Sequence, residues 1–178
     1  MAKLGLPVPP GFTISTKVCE EFYKNNKKLP KKIFQQVKKE IRIIEKISKK
    51  KFGDLSNPLL ISVRSGSKVY MPGMMDTILN LGLNDKTVIA LKNTTSNGRF
   101  AKDSYRRLIQ MYGSVVLGIE SHFFEELIEN YKLTKGVIQD TELEEEDWDG
   151  LIKNFKDVVK EKLKRIFHKM LMNNYGEP

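Results

Sequence analysis

The reading of this chain turns on Leu59-Leu60-Ile61-Ser62-Val63-Arg64-Ser65-Gly66-Ser67 and, a few residues on, Met71-Pro72-Gly73-Met74-Met75-Asp76-Thr77. The apolar run at 59–63 follows Pro58 and is too short for a helix, which is the pattern of a compact strand. Thr77, Leu79, Leu81 and Leu83 alternate with polar or small residues and predict a second strand. Residues 64–77 between them are rich in Gly, Ser, Pro and Met and read as an ordered loop. A strand therefore delivers one arginine, Arg64, into a glycine- and hydroxyl-bearing loop. Glycines let backbone N–H groups come close to an anion, and successive N–H groups can form a concave nest for phosphate. A guanidinium adds a permanent charge whose fork matches phosphate oxygens. The hydroxyls of Ser65, Ser67 and Thr77 are further candidate donors. No Gly-Lys-Ser/Thr run is present, so this is not a Walker-type loop. On the residues alone, an arginine making a surface ion pair beside an ordinary turn is an equal alternative.

Upstream, Gly5-Leu6-Pro7-Val8-Pro9-Pro10-Gly11 holds three prolines and can be neither helix nor central strand. Phe12-Thr13-Ile14-Ser15 alternates like a short strand, and Thr16 is a candidate cap for a helix with Val18, Cys19, Phe22 and Tyr23 on its apolar side. A second helix is expected after Pro30, with Ile33, Val37, Ile41, Ile44 and Ile47 as a buried stripe, Phe34 beside it, and a stop near Gly53. Downstream, Asn84-Asp85 offers a turn and cap, and the rest reads as mostly helical. Val88, Ile89 and Leu91 mark a short helix. Phe100, Leu108, Met111, Tyr112, Val115 and Val116 mark a longer one, and Phe123, Phe124, Leu127, Ile128 and Tyr131 another. The acidic run 140–149 reads as an exposed loop leading into a last amphipathic helix over 151–172. The predicted fold is α+β and helix-rich, divided into an α/β lobe at 1–83 that carries the phosphate-binding loop and a helical subdomain at 84–178.

The 178 residues suit one domain or two small lobes. The single cysteine, Cys19, excludes an internal disulfide and reads as a small core residue. No apolar run approaches the roughly 20 residues of a membrane span, and the start lacks the apolar stretch of a secretory signal, so a cytoplasmic protein is expected. Of the 31 Lys/Arg, thirteen lie in residues 17–51 with only four of the 22 Asp/Glu, while the remaining charges cancel. This segment therefore carries the whole net charge of +9. It reads as a solvated helix face; a nucleic-acid surface is the competing reading, disfavoured because no aromatic stacking platform interleaves the lysines.

The loop stretches, together with Leu79-Asn80-Leu81-Gly82-Leu83-Asn84-Asp85, residues 4–12 and Asp103-Ser104-Tyr105-Arg106-Arg107-Leu108-Ile109-Gln110-Met111-Tyr112, resemble the ATP-grasp half of the pyruvate, phosphate dikinase family, among the PEP-utilising enzymes. The resemblance covers roughly residues 1–160. Phosphoenolpyruvate synthases share the Val-Arg-Ser theme but not the Met-Pro-Gly-Met-Met-Asp-Thr run. The resemblance implies a phosphotransferase whose ATP-grasp region binds Mg-ATP and passes the β-phosphate to a histidine on a swinging domain, leaving AMP. That domain exchanges phosphate with inorganic phosphate and pyruvate, giving diphosphate and phosphoenolpyruvate. It implies that Arg64 acts catalytically by contacting the ATP phosphates and neutralising charge during transfer. It assigns Ser65, Gly73, Met74, Met75 and Thr77 to nucleotide binding, and it names no metal ligand in this chain.

The resemblance also implies absences. The family's ATP-binding lysine would lie before Met1, and its magnesium-holding acidic residues, histidine domain and pyruvate barrel would lie beyond Pro178. The expectation is a fragment of the ATP site, inactive alone, with ATP and either the remainder of the enzyme or a second copy as partners. The alternative is a non-catalytic remnant or split subunit. Arg106 and Arg107 read as surface charges, and His122 and His168, far from any metal-ligand spacing, as structural or exposed. Asp76 reads as a residue that orders the loop.

Overall fold

The computed structural model describes residues 4–66 and 76–174, with side chains as far as residue 164. Among them it contains α1 (Thr16–Lys24), α2 (Lys31–Ser48), β1 (Ile61–Arg64), β2 (Thr77–Leu81), α3 (Thr87–Thr95), α4 (Gly98–Val115), α5 (His122–Lys135) and α6 (Glu145–Asn174). A 3-10 turn spans Asp140–Glu142. The expected helix-rich α+β class is what the chain adopts. Among the described residues, two strands form one antiparallel sheet.

The ladder sets Arg64 opposite Thr77, Val63 opposite Ile78 and Ile61 opposite Leu81. Two steps along β1 correspond to three along β2, so β2 carries an extra residue, a β-bulge. Asn80 absorbs it in the left-handed region at φ 59°. The bulge overturns simple alternation: Ile78 and Leu81 both turn toward the core, whereas Leu79 is exposed. Gly82 follows at φ 121°, and a Cβ there would lie 2.6 Å from the carbonyl oxygen of Leu59, so both conformation and space require glycine. Asn84 then closes the turn as expected: its Oδ1 accepts from the N–H groups of Lys86 and Thr87 at 2.8 and 3.0 Å, and the Thr87 hydroxyl accepts from Asn84 N–H at 2.8 Å.

Two apolar clusters hold the helices. In one, Leu83, Val88, Ala101, Tyr105, Leu108 and Ile152 join β2, α3, α4 and α6. In the other, Ile119, Phe124, Ile128, Leu143, Trp148, Leu151 and Phe155 join α5 to α6 and its approach. The run 140–149 is not the exposed loop its charge predicts. Leu143 and Trp148 are fully buried and Asp147 is buried too, its charge met by specific partners. Asp147 takes the ammonium of Lys135, the hydroxyl of Tyr131 at 3.0 Å and the N–H of Glu144 at 2.7 Å. Arg99 pins the preceding turn through the carbonyls of Leu143 and Asp140, at 2.7 and 2.8 Å. Glu145, Glu146 and Asp147 also stand in the first turn of α6, where negative charge complements the helix dipole.

The amino-terminal part departs most from expectation. Residues 12–15 form no strand, and the cap position of α1 is Ser15, without a side-chain hydrogen bond, rather than Thr16. α2 begins after Pro30 as predicted but stops at Ser48, not near Gly53. There the Ser48 hydroxyl donates to the Ile44 carbonyl at 2.7 Å and Lys49 turns left-handed at φ 54°. Its apolar stripe is only partly covered: Ile44 is buried, Ile33, Val37 and Ile41 are half-buried, and Ile47 is exposed. Cys19 is exposed, contrary to its core reading, since α1 buries no residue. All thirteen basic residues of 17–51 are exposed.

Candidate functional site

The hairpin places the candidate site. Residues directly opposite in an antiparallel ladder point to the same face, so Arg64 and Thr77 share one face while Val63 and Ile78 share the other. Ile78 packs into the helical core, which turns Arg64 and Thr77 away from it. Arg64 is exposed and Thr77 half-buried. Immediately beyond this pair, Ser65 N–H donates to the Asp76 carbonyl at 2.9 Å, and Asp76 N–H donates to Ser65 Oγ at 2.9 Å. The Ser65 hydroxyl also lies 3.3 Å from the Asp76 carbonyl. These bonds close the neck of the loop. The Ser65 hydroxyl, a candidate phosphate donor on sequence, is engaged by the loop's own backbone, and Asp76 orders the neck through its main chain. Gly73, Met74 and Met75, with Ser67, Met71 and Pro72, lie outside the described residues.

The neck can thus present one guanidinium and one threonine hydroxyl on an open face, held by a sheet whose other face is bolted to α4. Asn80 helps, its Nδ2 donating to the Ser104 carbonyl of α4 at 3.4 Å. Among the described residues no group of three or more His, Cys, Asp or Glu is placed to hold a metal ion. Arg64 is the permanently charged side chain that this hairpin carries on its open face. His122 is exposed beside Glu120, at 3.3 Å, and the side chain of His168 lies outside the described residues.

Two features were missed by the sequence. Arg106 is not a surface charge: it is 6% exposed, its guanidinium lies 4.7 Å from the centre of the Trp148 ring, and it donates to Asp103 at 2.5 Å and Gln110 at 3.1 Å. Only Arg107 is exposed, with Asp103 2.9 Å away. The i, i+3 and i, i+4 spacing of Asp103 to the two arginines was the available signal; the burial was not. The second feature is an apolar groove of about 400 Å³ lined by Leu81, Leu83, Leu108, Ile109, Tyr112 and Val159, with Lys156 and Lys160 on its rim. At its edge Asp85 meets the ammonium of Lys156 and accepts from the Tyr105 hydroxyl at 3.3 Å. The hydrogen bond from Lys156 holds Asp85 below the usual carboxylate range, and burial, reinforced by the Asp85 charge, pushes the Tyr105 phenol up to about 12. This polar trio anchors the turn before α3 to α4 and α6.

No family model matches the chain. Curated relatives do. The chain is 49% identical over 167 residues to the pyruvate, phosphate dikinase of Entamoeba histolytica, a match that takes in 94% of this chain and 19% of the relative. It is equally identical to the pyruvate, phosphate dikinases of Rhizobium meliloti over 163 residues and Clostridium symbiosum over 161, spanning 18% of each. The chain is thus homologous to pyruvate, phosphate dikinase over about nine tenths of its length, and it spans less than a fifth of the length of these relatives.

Proposed function

We propose that this homologue of pyruvate, phosphate dikinase carries part of an ATP-grasp nucleotide site, in which Arg64 contacts the phosphates of Mg-ATP. The observation that carries the reading is the Arg64–Thr77 pair, set on the sheet face away from the core at the closed neck of the 66–75 loop. A permanently charged fork on a rigid strand end is suited to gripping a phosphate as charge redistributes during transfer. Thr77 supplies a hydroxyl beside it, and Gly73, Met74 and Met75 are the further nucleotide contacts that the family resemblance assigns. In this reading residues 1–83 are the phosphate-binding lobe and 84–178 a helical subdomain. The phosphotransfer of the parent reaction, from ATP, phosphate and pyruvate to AMP, diphosphate and phosphoenolpyruvate, requires the remainder of a dikinase-length polypeptide. Alone, the chain binds nucleotide without turning it over. The matched span, less than a fifth of the relatives' length, supports a part of a nucleotide site rather than a whole catalytic unit.

Isothermal calorimetry with Mg-ATP tests this. The expected result is weak binding, lost in Arg64→Ala and not restored by Arg64→Lys, since an ammonium cannot reproduce the bidentate fork. Binding unchanged in Arg64→Ala, or absent from the unaltered chain, overturns the assignment.

A further inference from the structure

Buried and exposed apolar side chains are divided unequally along this chain. Of the sixteen buried apolar residues among those described, residues 4–55 contribute one, Ile44; of the twenty-two large apolar residues left exposed, the same segment contributes twelve. The stretch carrying α1 and α2 therefore has helices but almost no core of its own. α2 shows this most clearly. It is amphipathic, with Phe34 50%, Ile43 42% and Ile47 62% exposed along or beside its apolar stripe; its lysines fall largely off that stripe, although the Lys38 ammonium lies 4.5 Å from the centre of the Phe34 ring. Scattered exposed apolar residues need no explanation, but a concentration of them on one segment marks an interaction surface.

We infer that the apolar side of α2, centred on Phe34 and Ile47, is the docking surface for the complementary part of a dikinase-length polypeptide, presenting an apolar patch rimmed by carboxylates. The inference rests on the reading above, that this chain carries part of a dikinase nucleotide site, and adds the surface that meets the rest. Two observations choose this occupant. The relatives continue for more than four fifths of their length outside the matched segment, so the polypeptide needed to cover the face exists in each of them. The thirteen basic against four acidic residues of 17–51 repel a second copy of the same surface and attract an acidic rim.

The test exploits residues exposed in the isolated chain and covered in the assembly. Phe34→Lys and Ile47→Lys are made in two settings: in this chain alone, and in the Clostridium symbiosum dikinase with its matching 161-residue segment replaced by this chain. Thermal unfolding is followed in both, and Mg-ATP binding is measured in parallel. Expected are midpoints of the isolated variants within about 2 °C of the unaltered chain, and a drop of roughly 5 °C or more, or loss of the folded chimera, in the assembled form, because a buried unpaired ammonium is costly. Chimera variants as stable as their parent overturn the inference, as does an unaltered chimera that fails to fold, since the face would then not fit its partner. Self-association of the isolated chain that Phe34→Lys abolishes in sedimentation overturns it in favour of a second copy. Arg64→Ala, measured in the same chimera, reports on the nucleotide site independently: loss of ATP binding with unchanged stability separates the two claims.

Discussion

Replacing Asp103 by Asn isolates the consequence of burying Arg106. The guanidinium sits 6% exposed on the Trp148 ring and has Asp103 as its counter-charge at 2.5 Å, with Gln110 as its other side-chain acceptor. Asparagine keeps the shape and one acceptor oxygen but removes the negative charge, leaving a buried cation with only neutral amides and an aromatic face. Stripping one partner from a buried pair costs about 3–5 kcal/mol. Because Asp103 itself keeps 16% of its surface, some solvent relief remains, and we expect about 2–3 kcal/mol. With a urea dependence of about 2 kcal/mol per molar, the unfolding midpoint should fall by roughly 1–1.5 M. The controls follow from the same geometry. Arg107→Ala breaks only the exposed arm of the pair and should cost less than about 0.5 kcal/mol. Asp103→Leu combined with Arg106→Met, which replaces charge by packing, should recover most of the loss. A midpoint for Asp103→Asn within about 0.3 M of the unaltered protein would show that water reaches the guanidinium, and the reasoning from burial would fail.

Gly82→Ala should lower stability by about 2–4 kcal/mol in the same urea titration, combining a positive φ with a contact to the Leu59 carbonyl that neither backbone segment can relieve; a loss under about 1 kcal/mol would contradict the turn geometry. Tyr105, pushed up to about 12 from 10.0 by burial, contributes stability that is complete below about pH 10 and lost as pH rises through 12. Alkaline titration should therefore destabilise the protein between those values, and Tyr105→Phe should flatten the profile; an unchanged profile argues against the burial. Asp147 is pushed up by burial but held below the usual carboxylate range by Lys135, Glu144 N–H and Tyr131. Its contribution is present above about pH 4 and fades as pH falls further, so Asp147→Asn should lower stability at pH 7 and reduce its acid dependence, which thermal melts at several pH values will read.

The secondary structure from α3 to α6 was legible because apolar residues at helical spacing and turn-closing residues such as Asn84 are local signals. The bulge in β2 was not, since nothing in the alternation of Thr77, Leu79 and Leu81 announces that Asn80 will turn left-handed and leave Leu79 outside. The acidic run misled for a related reason: charge predicts solvent only until partners such as Lys135 and Arg99, distant in sequence, are brought beside it. The α2 stripe was recognised correctly as apolar, but periodicity says that a face wants cover without saying whether this chain provides it. At the candidate site, Arg64 and Thr77 were identified from residue type, and their sharing of one face follows only from the register. That the Ser65 hydroxyl is engaged by Asp76 required coordinates.

The sheet described here has two strands, and each pairs on one side only among the described residues. Hairpins of this size are marginal in water, and α4 supplies the support. The outer margins still offer main-chain donors and acceptors to any extended peptide that approaches. In a chain dominated by helices, concentration-driven clumping should therefore begin at 61–64 and 77–81, and a single lysine or proline on that margin is the economical remedy for handling the protein in solution.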